Sequence, residues 1–297
     1  MDTVLITGGT GFLGSKIVEL FLSNNFRVVI LVRKGSSYGR IEKLLDHPYL
    51  SKVFFDKDNM DECFNKFKID SIIHVATCYG RNNESWLEIA DVNFFLPLKL
   101  LLLAEQFSIK SFINADTFFN EDMVFSGNES NYVKTKKDFL RTAEFLLQRL
   151  KIKFFNLKIE QMYGIDDSSK KFISFITKEL LSNNQSISLT KGGQRRDFIF
   201  VDDVAQAFLN VFENQKHLGS YEEFGIGTGQ SVSIKEAVDY LKDISGSKSI
   251  LEFGKLDYRK NEIMDSKANL NNNKKINWVY TVGWQKGFKE TINFFIK

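Results

Sequence analysis

The chain has 297 residues, of which 40 are basic and 37 acidic, so its formal net charge is +3. This near balance gives no indication of nucleic acid or a membrane surface as a partner. No apolar run reaches the roughly 18 residues of a membrane-spanning helix, and the first residues lack a signal peptide's basic-then-apolar pattern. The only cysteines, Cys63 and Cys78, allow neither a disulfide framework nor zinc spacing. These features favour a cytoplasmic enzyme that holds no metal.

Strand and helix patterns alternate through the first half of the chain, as a doubly wound parallel sheet requires. The predicted strands cover residues 4–7, 27–32, 52–55, 71–76, 111–114, 154–159 and 196–201. The predicted helices cover residues 15–24, 85–107, 131–150, 169–181 and 234–244. We therefore predict an α/β Rossmann fold with a smaller, interleaved C-terminal lobe that binds the substrate. Residues 1–160 would form the NADP-binding domain, to which about 196–227 returns, and 161–195 with 228–297 would form the second lobe.

A glycine-rich turn follows the first predicted strand, and an amphipathic helical pattern follows the turn. Glycines let a backbone approach a pyrophosphate, and a helix N-terminus stabilises its negative charge. This strand–turn–helix context predicts a dinucleotide site, for which the turn supplies Gly8, Thr10, Gly11, Phe12, Leu13 and Gly14. The alternative is a turn whose glycines merely let the strand and the helix pack closely.

The end of the second strand bears on the choice of cofactor. NAD-preferring proteins carry an acid there for the ribose hydroxyls, whereas this chain has Arg33 and Lys34 and no acid until Glu42. Guanidinium groups bind phosphate oxygens in a fork, so the pair favours NADP(H) over NAD. The alternative is that both cations are ordinary solvated charges.

Other residues near the strand ends complete the predicted cofactor site. Ala76 and Thr77, after the fourth strand, are small enough for the middle of the cofactor to pass, and Asp58 could meet the adenine. His74 lies within the apolar strand Ile72-Ile73-His74-Val75, where a buried structural histidine is the better interpretation than a catalytic one.

A Tyr132-x-x-x-Lys136 pair places a phenol and an ammonium one helical turn apart on the same face. Ketone reduction needs an acid for the forming alkoxide, and a tyrosine of pKa about 10 needs a group that favours its anion. Lys136 could lower the pKa of Tyr132 and orient the nicotinamide ribose, and Thr117 could reach the same carbonyl oxygen. Such a pair also arises by chance, so the catalytic interpretation depends on the glycine turn.

Several motifs together resemble those of the extended short-chain dehydrogenases/reductases, the nucleotide-sugar epimerase/dehydratase family, over nearly the whole chain. They are residues 7–14, His74-Val75-Ala76, Asn93, Tyr132 with Lys136, Tyr163-Gly164 and residues 196–204. The resemblance implies a Thr117–Tyr132–Lys136 triad, an NAD(P) cofactor and a nucleotide-sugar substrate. It also implies that Arg196 and Arg259 bind the substrate's diphosphate; Arg195 could replace Arg196, and a surface role remains open for either.

Within the family, the chain resembles the bacterial synthases that make CDP-abequose and CDP-paratose. The supporting stretches are residues 76–81, 116–119, 194–204, 253–254 and 261–264. This resemblance implies reduction of the C4 ketone of a nucleotide-linked deoxysugar with NADPH, in surface-polysaccharide biosynthesis, with Tyr79 and Thr117 near the sugar. The chain departs from the family in Lys158, where arginine is common, and in Ile165-Asp166, where Pro-Gly is common. It also departs in the short interval between Thr117 and Tyr132.

Four functions compete. A 4,6-dehydratase needs an acid and a base after Thr117, where this chain has Phe118 and Phe119. A 4-epimerase needs only the triad and a retained NAD, against which Arg33 and Lys34 argue. A non-catalytic NADP sensor or scaffold needs neither Tyr132 nor Lys136. We therefore predict a 4-keto reductase, with the NAD-dependent epimerase as the alternative.

The long helices at 85–107 and 131–150 carry more apolar surface than one face of a sheet should cover, as family members that form dimers often show. This surplus predicts a homodimer built on a four-helix contact. The alternative is that the second lobe covers the surplus.

Overall fold

A computed structural model of the chain describes residues 1–55, 60–119 and 128–296. The strands are β1 (Thr3–Thr7), β2 (Arg27–Val32), β3 (Leu50–Phe54), β4 (Ser71–His74), β5 (Ser111–Thr117), β6 (Lys153–Ile159), β7 (Gln161–Tyr163), β8 (Ser186–Leu189), β9 (Arg195–Arg196), β10 (Phe198–Phe200), β11 (Tyr221–Ile226), β12 (Val232–Ser233) and β13 (Ile250–Phe253). The helices are α1 (Phe12–Ser23), α2 (Asp61–Lys66), α3 (Trp86–Ala90), α4 (Leu96–Gln106), α5 (Asn128–Leu147), α6 (Phe172–Leu181), α7 (Val201–Asn214), α8 (Ile234–Ser245) and α9 (Trp284–Ile296).

A seven-stranded parallel sheet, in the order β11-β6-β5-β4-β1-β2-β3, confirms the predicted fold class. Its central strands β1, β4 and β5 are buried throughout, as expected when helices cover both faces; Val4, Leu5 and Ile6 of β1, for example, are fully buried. The chain leaves β1 toward β2 on one side and later returns to β4 on the other side of β1. The strand order therefore reverses beside β1, where open α/β sheets bind ligands outside the carboxyl ends of their strands.

The predicted helix over residues 85–107 is interrupted. It consists of α3, a π-helical turn at Asp91–Phe95, and α4. Pro97 is at the start of α4 and has no N–H to donate to the preceding turn, so the helix widens there. The π-helical turn carries the buried Asn93, whose side chain fixes the loop after β4.

The predicted strand at 196–201 is divided, and the helix that follows it was missed. Residues 195–196 form β9, residues 198–200 form β10, and Val201 already begins α7. Between the two short strands lies Asp197, whose fully buried carboxylate accepts hydrogen bonds from the backbone N–H groups of Thr228, Gly229 and Ala268. These long-range hydrogen bonds of Asp197 interrupt the strand. The alternation of apolar residues over 196–201 does not reveal them.

The chain divides into two compact units. The first comprises residues 1–158, 205–224 and 272–278, and the second comprises 159–204, 225–271 and 279–297. Compared with the predicted boundaries, residues 159–160, 196–204, 225–227 and 272–278 fall in the opposite unit. The second unit has its own apolar core, in which Tyr163, Phe198, Phe200 and Phe288 are buried, so Phe198 and Phe200 are core residues as expected. The assignment of the units to cofactor and substrate stays a prediction.

One departure from the family pattern has a backbone explanation. Asp166 stands where the family commonly has glycine, and its φ of 64° lies in the left-handed region. Aspartate enters this region more readily than most side chains. Residue 166 therefore adopts the left-handed conformation without being a glycine.

Candidate active site

The turn after β1 is built from backbone packed too tightly for side chains. Gly8 has a φ of +70°, and a Cβ on it would lie 2.8 Å from the Cα of Ala76. A Cβ on Gly14 would lie 2.0 Å from the Gly8 carbonyl oxygen, so Gly14 lets α1 approach the strand. The Gly11 amide donates to that same carbonyl over 2.9 Å. Gly8 and Gly14 therefore allow close packing of the backbone, and their contact with a cofactor stays a prediction.

Gly11 differs from its neighbours in this turn. The nearest atom to a Cβ on Gly11 would be the Gly8 carbonyl oxygen at 3.1 Å, and its backbone is in the extended region. It is the N-cap of α1 and has no side chain to cap the first amides of the helix. Uncapped amides beside a bare backbone fit the pyrophosphate of a dinucleotide. Leu13, by contrast, is a buried core residue of α1.

Arg33 and Lys34 are exposed directly after the carboxyl end of β2. The Arg33 amide donates to the Ser36 hydroxyl over 3.1 Å, and the Ser36 amide donates to the Arg33 carbonyl over 3.0 Å. This tight turn holds both cations at the edge of the sheet where the glycine turn also lies. Asp58, the predicted adenine contact, lies outside the described residues.

His74 supports the glycine turn from beneath. Its Nδ1 and the Thr7 hydroxyl are 2.8 Å apart, and the Ala76 amide donates to the same hydroxyl over 3.3 Å. Its Nε2 is buried without a hydrogen-bond partner in the described part of the chain. Complete burial, followed by the charge of Lys136, lowers the pKa of His74 well below its usual value, so the ring is neutral. This neutral ring fits the structural role predicted for His74.

The loop after β4 is held in place by Asn93. The side-chain oxygen of Asn93 accepts from the Cys78 amide over 2.9 Å, and its amide donates to the Cys78 carbonyl over 2.8 Å. The same amide also donates to the Thr135 hydroxyl over 3.2 Å. Asn93 thus fixes this loop at Cys78. Ala76 adjoins the glycine turn, since its Cα would lie 2.8 Å from a Cβ on Gly8, and the contacts of Ala76 and Thr77 with a cofactor stay a prediction.

Thr117, Tyr132 and Lys136 come together at the carboxyl end of β5. The Thr117 hydroxyl lies near enough to Tyr132 to lower its pKa, and the Lys136 ammonium donates to the Ala115 carbonyl over 2.7 Å. All three residues are buried, with 5%, 8% and 5% of their surface exposed. A strand end and a helix far apart in sequence therefore build one cluster of proton-bearing groups.

Burial and the ring of Tyr79 raise the pKa of Tyr132 well above its usual value. The largest opposing effects come from the Thr117 hydroxyl and from Arg81. The sequence analysis expected Lys136 to lower the pKa of Tyr132. It did not predict that Thr117 and Arg81 would do so. Burial lowers the pKa of Lys136 itself to about 8.

Tyr79 and Arg81 lie against the catalytic candidate. The ring centroids of Tyr79 and Tyr132 are 4.9 Å apart, and the Arg81 guanidinium lies 4.8 Å from the Tyr79 centroid. Tyr79 therefore packs against Tyr132, and its contact with the substrate stays a prediction. Arg81 was not predicted, although an arginine two residues beyond an aromatic side chain is a visible signal for such a stack.

Asp116 and Lys137, which were also missed, form a buried ion pair beside the cluster, with 2.8 Å between Nζ and Oδ2. They adjoin Thr117 and Lys136 in sequence. A lysine next to a lysine on a helix gives no sign in sequence that it turns inward.

The predicted diphosphate residues belong to the second unit. The Arg196 guanidinium forms an ion pair with Glu262 and donates to the Ile263 carbonyl over 2.6 Å. Arg259 is close enough to contribute to the lowered pKa of Arg196, after the larger effect of burial. Arg195, the alternative, donates from its guanidinium to the Ser231 hydroxyl over 3.2 Å. Arg196 and Arg259 thus form one cationic cluster balanced by a carboxylate.

Among the described residues, no helix is long and apolar enough to cross a membrane. In that same part of the chain, no group of His, Cys, Asp or Glu side chains has an arrangement that would hold a metal ion.

The sequence profile described as "NAD dependent epimerase/dehydratase family" matches residues 4–227. The chain is 35% identical to the CDP-abequose synthase of Salmonella typhimurium, over 98% of this chain and 97% of that protein. It is 30% identical to the CDP-abequose synthase of Salmonella muenchen, with the same coverage.

Solved structures show the same fold. The UDP-glucose 4-epimerase of Thermotoga maritima with UDP-glucose has a TM-score of 0.84 at 22% identity and covers 99% of this chain and 98% of its own. The UDP-glucose 4-epimerase of Thermus thermophilus in complex with NAD has a TM-score of 0.80 at 21% identity, with 99% of both chains covered.

Proposed function

This chain belongs to the NAD-dependent epimerase/dehydratase family, and within that family we propose that it reduces the C4 ketone of a nucleotide-linked 6-deoxy or 3,6-dideoxy sugar with NADPH. The observation that carries the proposal is the burial of Tyr132 beside the Thr117 hydroxyl. Burial favours its protonated form, and a protonated phenol can donate to a forming alkoxide. The similarity to CDP-abequose synthases supports a deoxysugar substrate and a place in surface-polysaccharide biosynthesis.

Bound NADPH would supply the hydride that C4 accepts. Tyr132 would donate its proton to O4, and Thr117 would hold that oxygen through its hydroxyl. Lys136 would bind the nicotinamide ribose with its ammonium and fix the orientation of the ring. Each of these roles needs a buried side chain that is held in one orientation. For Lys136, the hydrogen bond from its ammonium to the Ala115 carbonyl fixes that orientation.

The substrate's diphosphate would bind Arg196 and Arg259, because paired guanidinium groups suit its oxygens. Glu262 already shares the Arg196 guanidinium, so the arginine is held in place before a ligand arrives. Tyr79, packed on Tyr132, would lie against the sugar.

The cofactor preference separates this proposal from the alternative. Arg33 and Lys34 stand exposed where a 2′-phosphate would lie, which supports NADP(H) and a net redox step. A retained NAD, as in the complex of the Thermus thermophilus epimerase, would instead support 4-epimerisation. Phe118 and Phe119, whose rings are 4.2 Å apart after Thr117, cannot supply the acid and base of a dehydratase.

The first unit exposes apolar side chains along the helices that were expected to form a homodimer. They are Trp86, Leu87, Phe95, Leu102 and Phe145, each more than two-fifths exposed. We expect a second copy of the chain to cover them. The free cysteines are consistent with the cytoplasm as its compartment. Light scattering after chromatography should show a dimer for the wild type and a monomer for the double variant Leu87→Glu/Phe145→Glu; a monomeric wild type would contradict this.

The decisive experiment is oxidation of NADPH and NADH with CDP-, GDP- and dTDP-linked 4-keto-6-deoxy and 3,6-dideoxy sugars. The Tyr132→Phe variant should still bind NADPH but lose about 10³-fold in kcat. Tyr240→Phe, on α8 of the second unit, is the matched control and should keep full turnover. No oxidation with any sugar, together with NAD released from the denatured protein, would favour the epimerase instead.

A further inference from the structure

The strand end that supplies Thr117 is joined to the helix that supplies Tyr132 and Lys136 by a buried ion pair. The Lys137 ammonium lies 2.8 Å from Oδ2 of Asp116, and their side chains are 8% and 1% exposed. Asp116 immediately precedes Thr117, and Lys137 immediately follows Lys136. Burying two charges costs several kcal/mol of desolvation per ion unless both are well compensated, so this position is a costly one for an ion pair.

The pair reaches the backbone of the catalytic threonine. The Lys137 ammonium also donates to the Thr117 carbonyl over 3.3 Å. Oδ2 of Asp116 accepts a second hydrogen bond, over 3.1 Å, from the Asn156 amide, while its Oδ1 has no partner within the described residues. Lys137 is therefore the charged group that compensates Asp116, and a single ammonium ties both Asp116 and Thr117 to α5.

The pair continues into a network on β6 and β11. The Asn156 amide that donates to Asp116 also donates to Oε2 of Glu223 over 3.1 Å. Glu223 in turn forms an ion pair with Lys158, 2.7 Å apart. Two carboxylates and two ammonium groups thus balance one another across adjacent strands, and the end of β5 cannot shift without breaking several of these bonds.

We propose that Asp116 and Lys137 are positioning residues: their ion pair fixes the end of β5 against α5 and so holds the Thr117 hydroxyl at Tyr132 and the Ala115 carbonyl at Lys136. The inference rests on the proposed function, because it concerns the groups assigned to that reaction. It adds residues to the site that touch neither substrate nor cofactor and act through their neighbours.

The ion pair also has an electrostatic consequence. After burial, the largest influence on the pKa of Lys136 is Asp116, which raises it, followed by Lys137, which lowers it. Loss of the Asp116 charge therefore lowers the pKa of Lys136. The groups facing this cluster are Tyr79, Arg81, His74, Asp116, Thr117 and Lys137.

The variants that test the proposal are Asp116→Asn, Lys137→Arg and Asp116→Asn/Lys137→Met. Asp138→Asn is the matched control, because it removes an exposed ion pair with Lys134 from the same helix. Two readouts are needed: kcat and KM with a 4-keto sugar and NADPH, and the titration of Lys136 by NMR in protein carrying [6-¹³C]lysine. The Lys136 resonance is assigned by its loss in Lys136→Met.

We expect Asp116→Asn to lower kcat about 100-fold with little change in either KM, because a misplacement near 1 Å is enough for such a loss. It should also move the titration midpoint of Lys136 below the wild-type value. Lys137→Arg, which keeps the charge, should retain most of kcat, and Asp138→Asn should match the wild type. If Asp116→Asn is too unstable to study, the double variant, which leaves no lone buried charge, should show the same loss of kcat.

Wild-type kcat in Asp116→Asn, with only a lower melting temperature, would overturn the proposal, since a purely structural pair would behave in that way even though its lost charge lowers the Lys136 midpoint. If the wild-type protein turns over no 4-keto sugar, the proposed reaction fails, but the NMR titration of the double variant still decides the inference. The double variant removes two charges with opposite effects on the pKa of Lys136, so an unmoved Lys136 midpoint overturns the inference and a moved midpoint supports it.

Discussion

Replacing Gly11 with alanine should separate cofactor binding from packing in the glycine turn. The Gly11 backbone has φ −79° and ψ 178°, which alanine adopts readily. Its Cβ would approach only one atom closely, the Gly8 carbonyl oxygen at 3.1 Å. We expect the variant to lose about 1 kcal/mol of folding free energy or less.

The same methyl group would stand where a pyrophosphate approaches the backbone. Overpacking by one methyl group costs about 1–3 kcal/mol, which corresponds to a rise of roughly 5- to 150-fold in the Kd for NADPH. Fluorescence titration with NADPH measures this rise, and urea unfolding followed by circular dichroism measures the stability.

Two other glycines provide the comparison. In Gly14→Ala the Cβ would lie 2.0 Å from a backbone oxygen, so this variant should lose about 3 kcal/mol or more of folding free energy. Gly246 has φ +65° and no atom within 4 Å of a Cβ. The Gly246→Ala variant should therefore lose only about 1–2 kcal/mol of folding free energy, the cost of a left-handed backbone for alanine, and should bind NADPH normally. An unchanged Kd in Gly11→Ala would refute the reasoning, because the turn would then serve only the packing of α1 on β1.

Three further outcomes are expected. Arg33→Ala/Lys34→Ala should raise the KM for NADPH about 10-fold or more while leaving that for NADH within a few-fold; equal changes for both cofactors would show that the pair does not bind a 2′-phosphate. Activity should decline on the alkaline side with a midpoint near the Lys136 pKa of about 8, since Lys136 is a cation only below it; a pH profile of kcat that stays flat to pH 9.5 would contradict this. Burial raises the pKa of Glu160 to about 7, against the opposing Ser266 hydrogen bond, so the protonated form stabilises the fold and that contribution is lost as pH rises from about 4.5 through 7. At pH 8 the Glu160→Gln variant should therefore have a free energy of unfolding in urea about 2–3 kcal/mol higher than the wild type, and at pH 4 this difference should disappear. A variant less stable than the wild type at both pH values would contradict the argument.

Much of the first unit could be read from sequence because it depends on local patterns. Apolar runs such as Val4–Thr7 are strands in any parallel sheet buried on both faces, and a glycine turn between a strand and a helix can be recognised from the spacing of Gly8, Gly11 and Gly14. The pair Tyr132 and Lys136 needs only the helical repeat to share a face. These inferences required no knowledge of how distant segments meet.

The tertiary structure decided what depends on contacts between such segments. Asp116 and Lys137 look like ordinary polar residues, yet both are buried, because strand β5 and helix α5 bring their charges within 2.8 Å of each other. The π-helical turn places Asn93 at the Cys78 backbone, and Asp197 interrupts a strand to accept amides from two later segments. In each case a polar group escapes the cost of burial by pairing with a partner far away in sequence. Sequence spacing predicted the groups that we propose to react, and long-range pairing determined what holds them in place.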